Sequence, residues 1–159
     1  MPEADEPLWW LWMRMAYESQ DAAFADETAG RLRPAASRFY YSAYQAITAL
    51  LHLSGRQPPG GEIEDGGREA WSHKTTPEMI LTDLNRYFRT QTLRETMRSK
   101  LLFLYKMRVI ADYIATEEIH KESFVRLATD SRYVVKLVTQ TLGKHDGDSN
   151  IITITEHTR

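Results

Sequence analysis

Apolar residues recur at steps of three and four along five separate stretches of this chain, and that period restricts the fold more than any other feature of the sequence. From Pro7 the positions Leu8, Leu11/Trp12, Met15, Ser19 and Ala22/Ala23 follow the pattern, with charges between them. Pro7 suits a first helical turn, where a missing N–H costs nothing, and Gly30 supplies a stop. A second helix starts at Pro34 and carries Ala36, Phe39/Tyr40, Ala43, Ile47 and Leu50/Leu51 as far as Leu53-Ser54-Gly55. Its small residues, Ala35, Ala36, Ser42, Ala43, Ala46 and Ala49, allow neighbouring helices to come close. A third helix opens at Thr76-Pro77-Glu78, with Thr76 as N-cap, and runs through Tyr87 and Phe88. The fourth, read as the longest, spans Leu93 to about Ala115. It has two apolar stripes, so it is expected to be central in the bundle or to border a second subunit. The fifth covers Lys121 to Leu142 and ends at Gly143. Trp9, Trp10 and Trp12 point in different directions around the first helix, which predicts at least one of them at a subunit contact or on the surface.

The fold class that follows is all-α: an antiparallel up-and-down bundle of four to five helices over residues 1–142, with a glycine-rich loop at 55–67. The remaining segment, 143–159, is polar and turn-forming and reads as a flexible tail, disordered or bound to a partner. Only Ile151-Ile152-Thr153-Ile154-Thr155 has strand character, and it has no second strand to pair with.

Composition limits the function classes. At 159 residues, with 42% hydrophobic and 26% charged residues, the chain suits one globular domain. It has no cysteine, which excludes disulfides and thiolate metal sites. The first seven residues are acidic where a secretory leader is basic, and the Leu8–Met13 run is far too short to span a bilayer. The expectation is therefore a soluble, cytoplasmic protein without a membrane segment. The net charge of −2 hides an asymmetry. Residues 1–28 hold seven acids and one base, and residues 86–108 hold seven bases and one acid. Either two helices attract one another within or between subunits, or the basic stretch is a face for phosphate.

Most catalytic signatures are absent. The glycine-rich loop lacks the G-x-x-x-x-G-K-[ST] order and contains Glu62, Glu64 and Asp65, which repel phosphate. No two of the five histidines stand four apart on a helix, there is no H-E-x-x-H, and Glu117-Glu118 near His120 suit a helix end, so neither a metal nor a cofactor is expected. A metal-free ribonuclease needs less: a base such as His and a cation to stabilise the phosphorane. Arg68 with His73 forms one compact pair of this kind.

Two motifs carry a family resemblance. Ser37-Arg38-Phe39-Tyr40-Tyr41-Ser42-Ala43-Tyr44-Gln45-Ala46, continuing Ile47-Thr48-Ala49-Leu50-Leu51, resembles the "S-R-x-Y-Y-A-A-F-x-A-x-x-A-L-L" helix of the HEPN superfamily (higher eukaryotes and prokaryotes nucleotide-binding domain). After a variable loop and Ser72-His73-Lys74, the segment Leu104-Tyr105-Lys106-Met107-Arg108-Val109-Ile110-Ala111-Asp112-Tyr113 is similar to the "L-Y-x-x-R-x-x-A-D-Y" signature of a stand-alone HEPN branch. The resemblance covers most of residues 8–142. It implies an up-and-down bundle, a homodimer, and a toxin–antitoxin or other defence setting, commonly beside a minimal nucleotidyltransferase partner. Active members are metal-independent endoribonucleases with an R-x(4–6)-H motif. Arg108 stands at the Arg position, but Asp112-Tyr113 follow and the next histidine is His120.

The reading that results is a degenerate, non-catalytic module binding a partner protein, a nucleotide or RNA. Arg108, Asp112, Tyr113, Tyr40, Tyr41, Arg38 and Lys74 are its candidate binding residues. Arg108 and Asp112 are spaced for an ion pair, and Tyr40 and Tyr41 can stack a base or fill the core. The alternatives are an endoribonuclease using Arg108 with a substitute base, His73 or His120, and a purely structural adaptor docked through its tryptophan-rich first helix.

Overall fold

The computed structural model describes residues 6–59 and 69–145 and is all-helical over them: α1 Leu8–Thr28, α2 Leu32–Leu53, α3 Thr75–Asp83, α4 Gln91–Tyr113 and α5 Lys121–His145. Most of the glycine-rich loop, Arg68, His157 and the Ile151–Thr155 run lie outside the described residues. Helix ends follow local chemistry. Gly30 and Gly55 have positive φ, +77° and +86°, and each closes a Schellman motif. After α1 the Gly30 and Arg31 amides donate to the Glu27 and Asp26 carbonyls, at 3.0 and 2.8 Å. After α2 the Gly55 and Arg56 amides repeat the arrangement on His52 and Leu51. Thr90 caps α4 by accepting from the Leu93 amide at 3.1 Å.

Contacts between helices set their directions. Trp12 meets His52, Ser42 donates to the Ala16 carbonyl, and Phe24 meets Phe39, so α1 and α2 are antiparallel. Arg33 reaches Ile110 while Tyr40 meets Tyr105, so α2 and α4 are antiparallel as well. Lys100 pairs with Asp130 and Phe103 lies beneath Arg126, which runs α5 against α4. The four long helices therefore alternate up and down, and α3 is a short insertion packed on α4 and α2.

The centre of the bundle is α2, which touches each of the other four helices. Every residue from Phe39 to Leu51 except Tyr41 is buried. Its alanines and Ser42 are the reason: with little side chain in the way, neighbours approach its backbone from several sides. Phe39, fully buried, meets Phe24 and Phe124 edge-on, and its carbonyl accepts from the buried Ser131 hydroxyl at 2.6 Å. A phenyl ring placed this way contributes roughly 3 kcal/mol by burial. Tyr17, also buried, shares a 2.7 Å hydrogen bond with Thr139, and burial raises its pKa to about 12. Gln45, with its amide nitrogen facing acceptors, donates to the Met15 and Tyr41 carbonyls at 3.0 and 3.1 Å and ties α1 to α2.

Several sequence expectations need correction. The third helix ends at Asp83, and Leu84 and Phe88 are buried through the turn that follows instead. Its cap is supplied by Ser72, whose hydroxyl accepts from the Thr75 amide at 3.1 Å, and not by Thr76. The longest helix is α5, with 25 residues against 23 for α4, because it continues through Gly143 to His145. The central helix is α2, and on the second stripe of α4 Leu102 is exposed and Tyr105 and Val109 half-buried. The tryptophans need no such correction: Trp9 is buried, while Trp10 and Trp12 are only half-buried against the core and so reach the surface in part.

The charge asymmetry does not draw α1 onto α4, because α2 lies between them. The bases of the 86–108 stretch find partners closer at hand. Arg98 pairs with Glu78, Lys100 with Asp130 and Arg108 with Asp112. Arg94 donates to the Phe88 carbonyl at 2.6 Å. Among the described residues no helix is long and apolar enough to cross a membrane.

Candidate anion-binding cleft

The N-terminal half of α2 and the C-terminal end of α4 flank an open cleft of about 460 Å³. On α2 the steps from Arg33 to Ser37 to Tyr41, and from Pro34 to Arg38, put five lining residues on one helix face. Helix α4 contributes Ala111 and Asp112. Arg33 is taken up by the end of α4. It donates to the Ile110, Ala111 and Ile114 carbonyls at 3.0, 3.1 and 3.2 Å and also to the Glu117 carbonyl. The Ile110 and Ile114 carbonyls also accept from the Ile114 and Glu117 amides, so the guanidinium adds charged donors to the end of α4 and the turn after it and opposes the negative end of the helix.

Arg108 stands beside the cleft, in contact with two of its lining residues, Tyr41 and Asp112. Its Nε donates to Asp112 Oδ2 at 3.1 Å, and its Nη2 donates to the Tyr41 and Tyr113 hydroxyls at 2.9 and 3.3 Å. The guanidinium carbon lies 5.3 and 5.2 Å from the centres of the same two rings, within cation–π range. Burial works against its charge, but Tyr41, Tyr113 and Asp112 together outweigh that and hold its pKa above the ordinary value. The expected Arg108–Asp112 pair is therefore present, and Ser37 of α2 also donates to Asp112 Oδ2, at 3.0 Å. Arg38 is exposed, lines the cleft and makes no hydrogen bond or ion pair among the described residues. Tyr113 is 70% exposed beside the guanidinium.

Tyr41 also belongs to an aromatic cluster around His73, the residue two before α3. Its ring centre is 4.7 Å from Tyr44, 5.4 Å from Tyr40, 5.6 Å from Tyr105 and 6.0 Å from Tyr41. Nδ1 shares a 2.5 Å hydrogen bond with the Tyr40 hydroxyl. Burial, and then the positive charge of Arg108, push the His73 pKa below its usual value, so the ring is neutral near pH 7. For Nε2 to act as a proton acceptor, Nδ1–H has to donate to Tyr40. Burial also raises Tyr40 far above a normal phenol, which keeps its proton in place.

The two residues singled out for catalysis, Arg108 and His73, thus both contact Tyr41. Arg38, Tyr41 and Asp112 line the cleft, and Arg108 and Tyr113 stand beside it. Tyr40, 1% exposed, belongs to the core and supports His73. Lys74 is exposed at the entrance to α3 and does not line the cleft, and His120 is exposed at the start of α5. Arg68 lies outside the described residues, so its pairing with His73 does too. Four contributors were not singled out from the sequence: Arg33, Ser37, Tyr44 and Tyr105. The four-residue steps 33-37-41 and 40-44 were the available signal. Among the described residues no group of three or more His, Asp or Glu side chains is placed to hold a metal ion. No protein-family model matches the chain, and no curated protein matches it.

Proposed function

We propose that the protein is a HEPN-type helical module that binds a phosphate-bearing ligand, a nucleotide or RNA, in the Arg108 cleft without cleaving it. The observation that carries this reading is the charge and surface of the cleft. Arg33 and Arg38 line it with a single carboxylate, Asp112, which is paired with Arg108 beside the cleft, and the exposed Tyr113 ring next to Arg108 offers a face for a base. Arg38 has no competing partner among the described residues, so it is free to meet a phosphate. The start of α2, a positive helix end, points the same way. Homodimer formation, a cytoplasmic location, a defence or toxin–antitoxin role and a nucleotidyltransferase partner rest on the two sequence motifs.

Binding of a nucleoside monophosphate and of a short single-stranded RNA, followed by calorimetry, tests the proposal. Arg38→Ala and Arg108→Ala should each weaken binding, by roughly tenfold or more for Arg108, since a charge-assisted hydrogen bond contributes about 1.5–3 kcal/mol. The affinity for RNA should also fall as salt is raised. Wild-type affinity that neither substitution changes would remove the cleft from consideration. Absence of any binding, with tryptophan fluorescence responding only to a partner protein, would favour the adaptor reading.

One observation favours a second reading, metal-independent RNA cleavage. His73, which shares the Tyr41 contact with Arg108, is held neutral, a suitable protonation state for a general base. Cleavage in EDTA that both His73→Ala and Arg108→Ala abolish, with both variants folded, would establish it in place of simple binding.

A further inference from the structure

Asp112 is an unexpected group to find in a cleft read as a phosphate site. A carboxylate beside Arg108 repels a bare phosphate and partly neutralises the cation meant to hold it. Stability alone explains an i, i+4 pair, but not the rest of the arrangement. The side chain is fixed from two helices at once: Ser37 Oγ of α2 and Arg108 Nε of α4 both donate to Oδ2, at 3.0 and 3.1 Å. Oδ1 has no hydrogen-bond partner among the described residues, and Asp112 lines the cleft with Arg38 across from it. The carboxylate therefore presents an oriented acceptor to the space a ligand would occupy.

From this we infer that Asp112 is a specificity-determining residue, which makes the cleft accept an anion that carries a hydroxyl donor next to its phosphate. The inference rests on the phosphate-binding reading above and narrows it. Arg108 and Asp112 are hydrogen-bonded to each other, so an anion on the guanidinium and a donor on Oδ1 must come from neighbouring atoms of one ligand. A vicinal hydroxy-phosphate meets that condition, as in a ribonucleoside 3′-phosphate with its 2′-hydroxyl. The hydroxyl proton satisfies Oδ1 and offsets the repulsion between the two anions. A deoxy analogue leaves the repulsion and an unsatisfied acceptor, which is how a polar site rejects a ligand lacking one hydroxyl.

The test is calorimetric binding of cytidine 3′-monophosphate, 2′-deoxycytidine 3′-monophosphate and inorganic phosphate to the wild-type protein and to Asp112→Asn, Ser37→Ala and Arg108→Ala. The wild type should prefer the ribonucleotide over the deoxynucleotide by about tenfold or more. Asp112→Asn should bring that ratio close to one by raising affinity for the deoxynucleotide and inorganic phosphate. Ser37→Ala loosens the carboxylate without removing it and should narrow the ratio part of the way. A structural ion pair would leave the ratio unmoved, so an unchanged preference in Asp112→Asn, or none in the wild type, would overturn this inference alone. If Arg108→Ala binds all three ligands like the wild type, or nothing binds at all, the cleft reading fails and takes this inference with it. Thermal melts of each variant separate loss of binding from loss of fold.

Discussion

Replacing Lys100 with methionine should destabilise the protein substantially while leaving ligand binding intact. Lys100 Nζ donates to Asp130 Oδ1 at 2.7 Å, and the Asp130 side chain is only 8% exposed. Methionine keeps most of the aliphatic volume but leaves the carboxylate nearly out of water. Breaking a buried pair from one side costs about 3–5 kcal/mol, because the remaining charge is uncompensated. Here Arg126 stays within 3.6 Å of the other oxygen, and as a 60% exposed partner it recovers about 1 kcal/mol at most. Loss of the ammonium from its place 4.8 Å above the Tyr133 ring adds about 0.5 kcal/mol. The expected cost is therefore about 2–4 kcal/mol. Unfolding entropy of about 2.1 cal/mol/K per residue turns that into a fall in melting temperature of roughly 6–12 °C for this chain.

Urea titration followed by circular dichroism measures the loss. The double variant Lys100→Met/Asp130→Asn should recover part of it, since a neutral amide tolerates the site better. Ligand affinity in Lys100→Met should match the wild type, because Lys100 lies on the α4–α5 side and not at the Arg108 cleft. A cost below about 0.5 kcal/mol would show that Asp130 is hydrated well enough to need no partner. A loss of RNA binding without a loss of stability would instead make the basic stretch of α4 a nucleic-acid face.

Three further outcomes follow from the same contacts. Phe39→Ala should cost about 3–5 kcal/mol in chemical denaturation, since the ring is wholly enclosed between Phe24 and Phe124. Arg33→Ala should cost about 1–2 kcal/mol and raise hydrogen exchange at the end of α4, because four carbonyls there and in the following turn lose the guanidinium together. The pH dependence has a definite sign. His73 has a folded pKa below its unfolded value of about 6.5, so its contribution is fully present above that value and is lost as pH falls through the folded pKa. Wild type should therefore lose more stability between pH 7.5 and 5.5 than His73→Gln does, and equal slopes would refute the assignment.

Local signals in the sequence were enough to place the helices. Gly30 and Gly55 act on amides and carbonyls only a few residues away, and the three- and four-residue apolar steps choose the buried face of each helix without reference to its neighbours. The same locality made Arg108 and Asp112 legible as a pair one turn apart. Expectations went astray where burial depended on another part of the chain. Leu84 and Phe88 continue the apolar pattern of α3, yet they reach the core through a turn. The two-sided pattern of α4 does not make it central, because the small residues of α2 admit more neighbours.

Tertiary structure alone decided which residues share a site. His73 and Arg108 belong to different elements, and Tyr41 meets both only because α2 runs antiparallel to α4 with α3 folded beside them. It also decided which charges are already matched: Lys100 and Arg98 are occupied by acids from other helices, whereas Arg38 lines the cleft without a partner among the described residues. A helix's own sequence sets its period and its ends because those energies are summed over neighbours within about five residues. The meeting of side chains from separate helices depends on how those helices stack, and that is settled only when all of them bury their faces together.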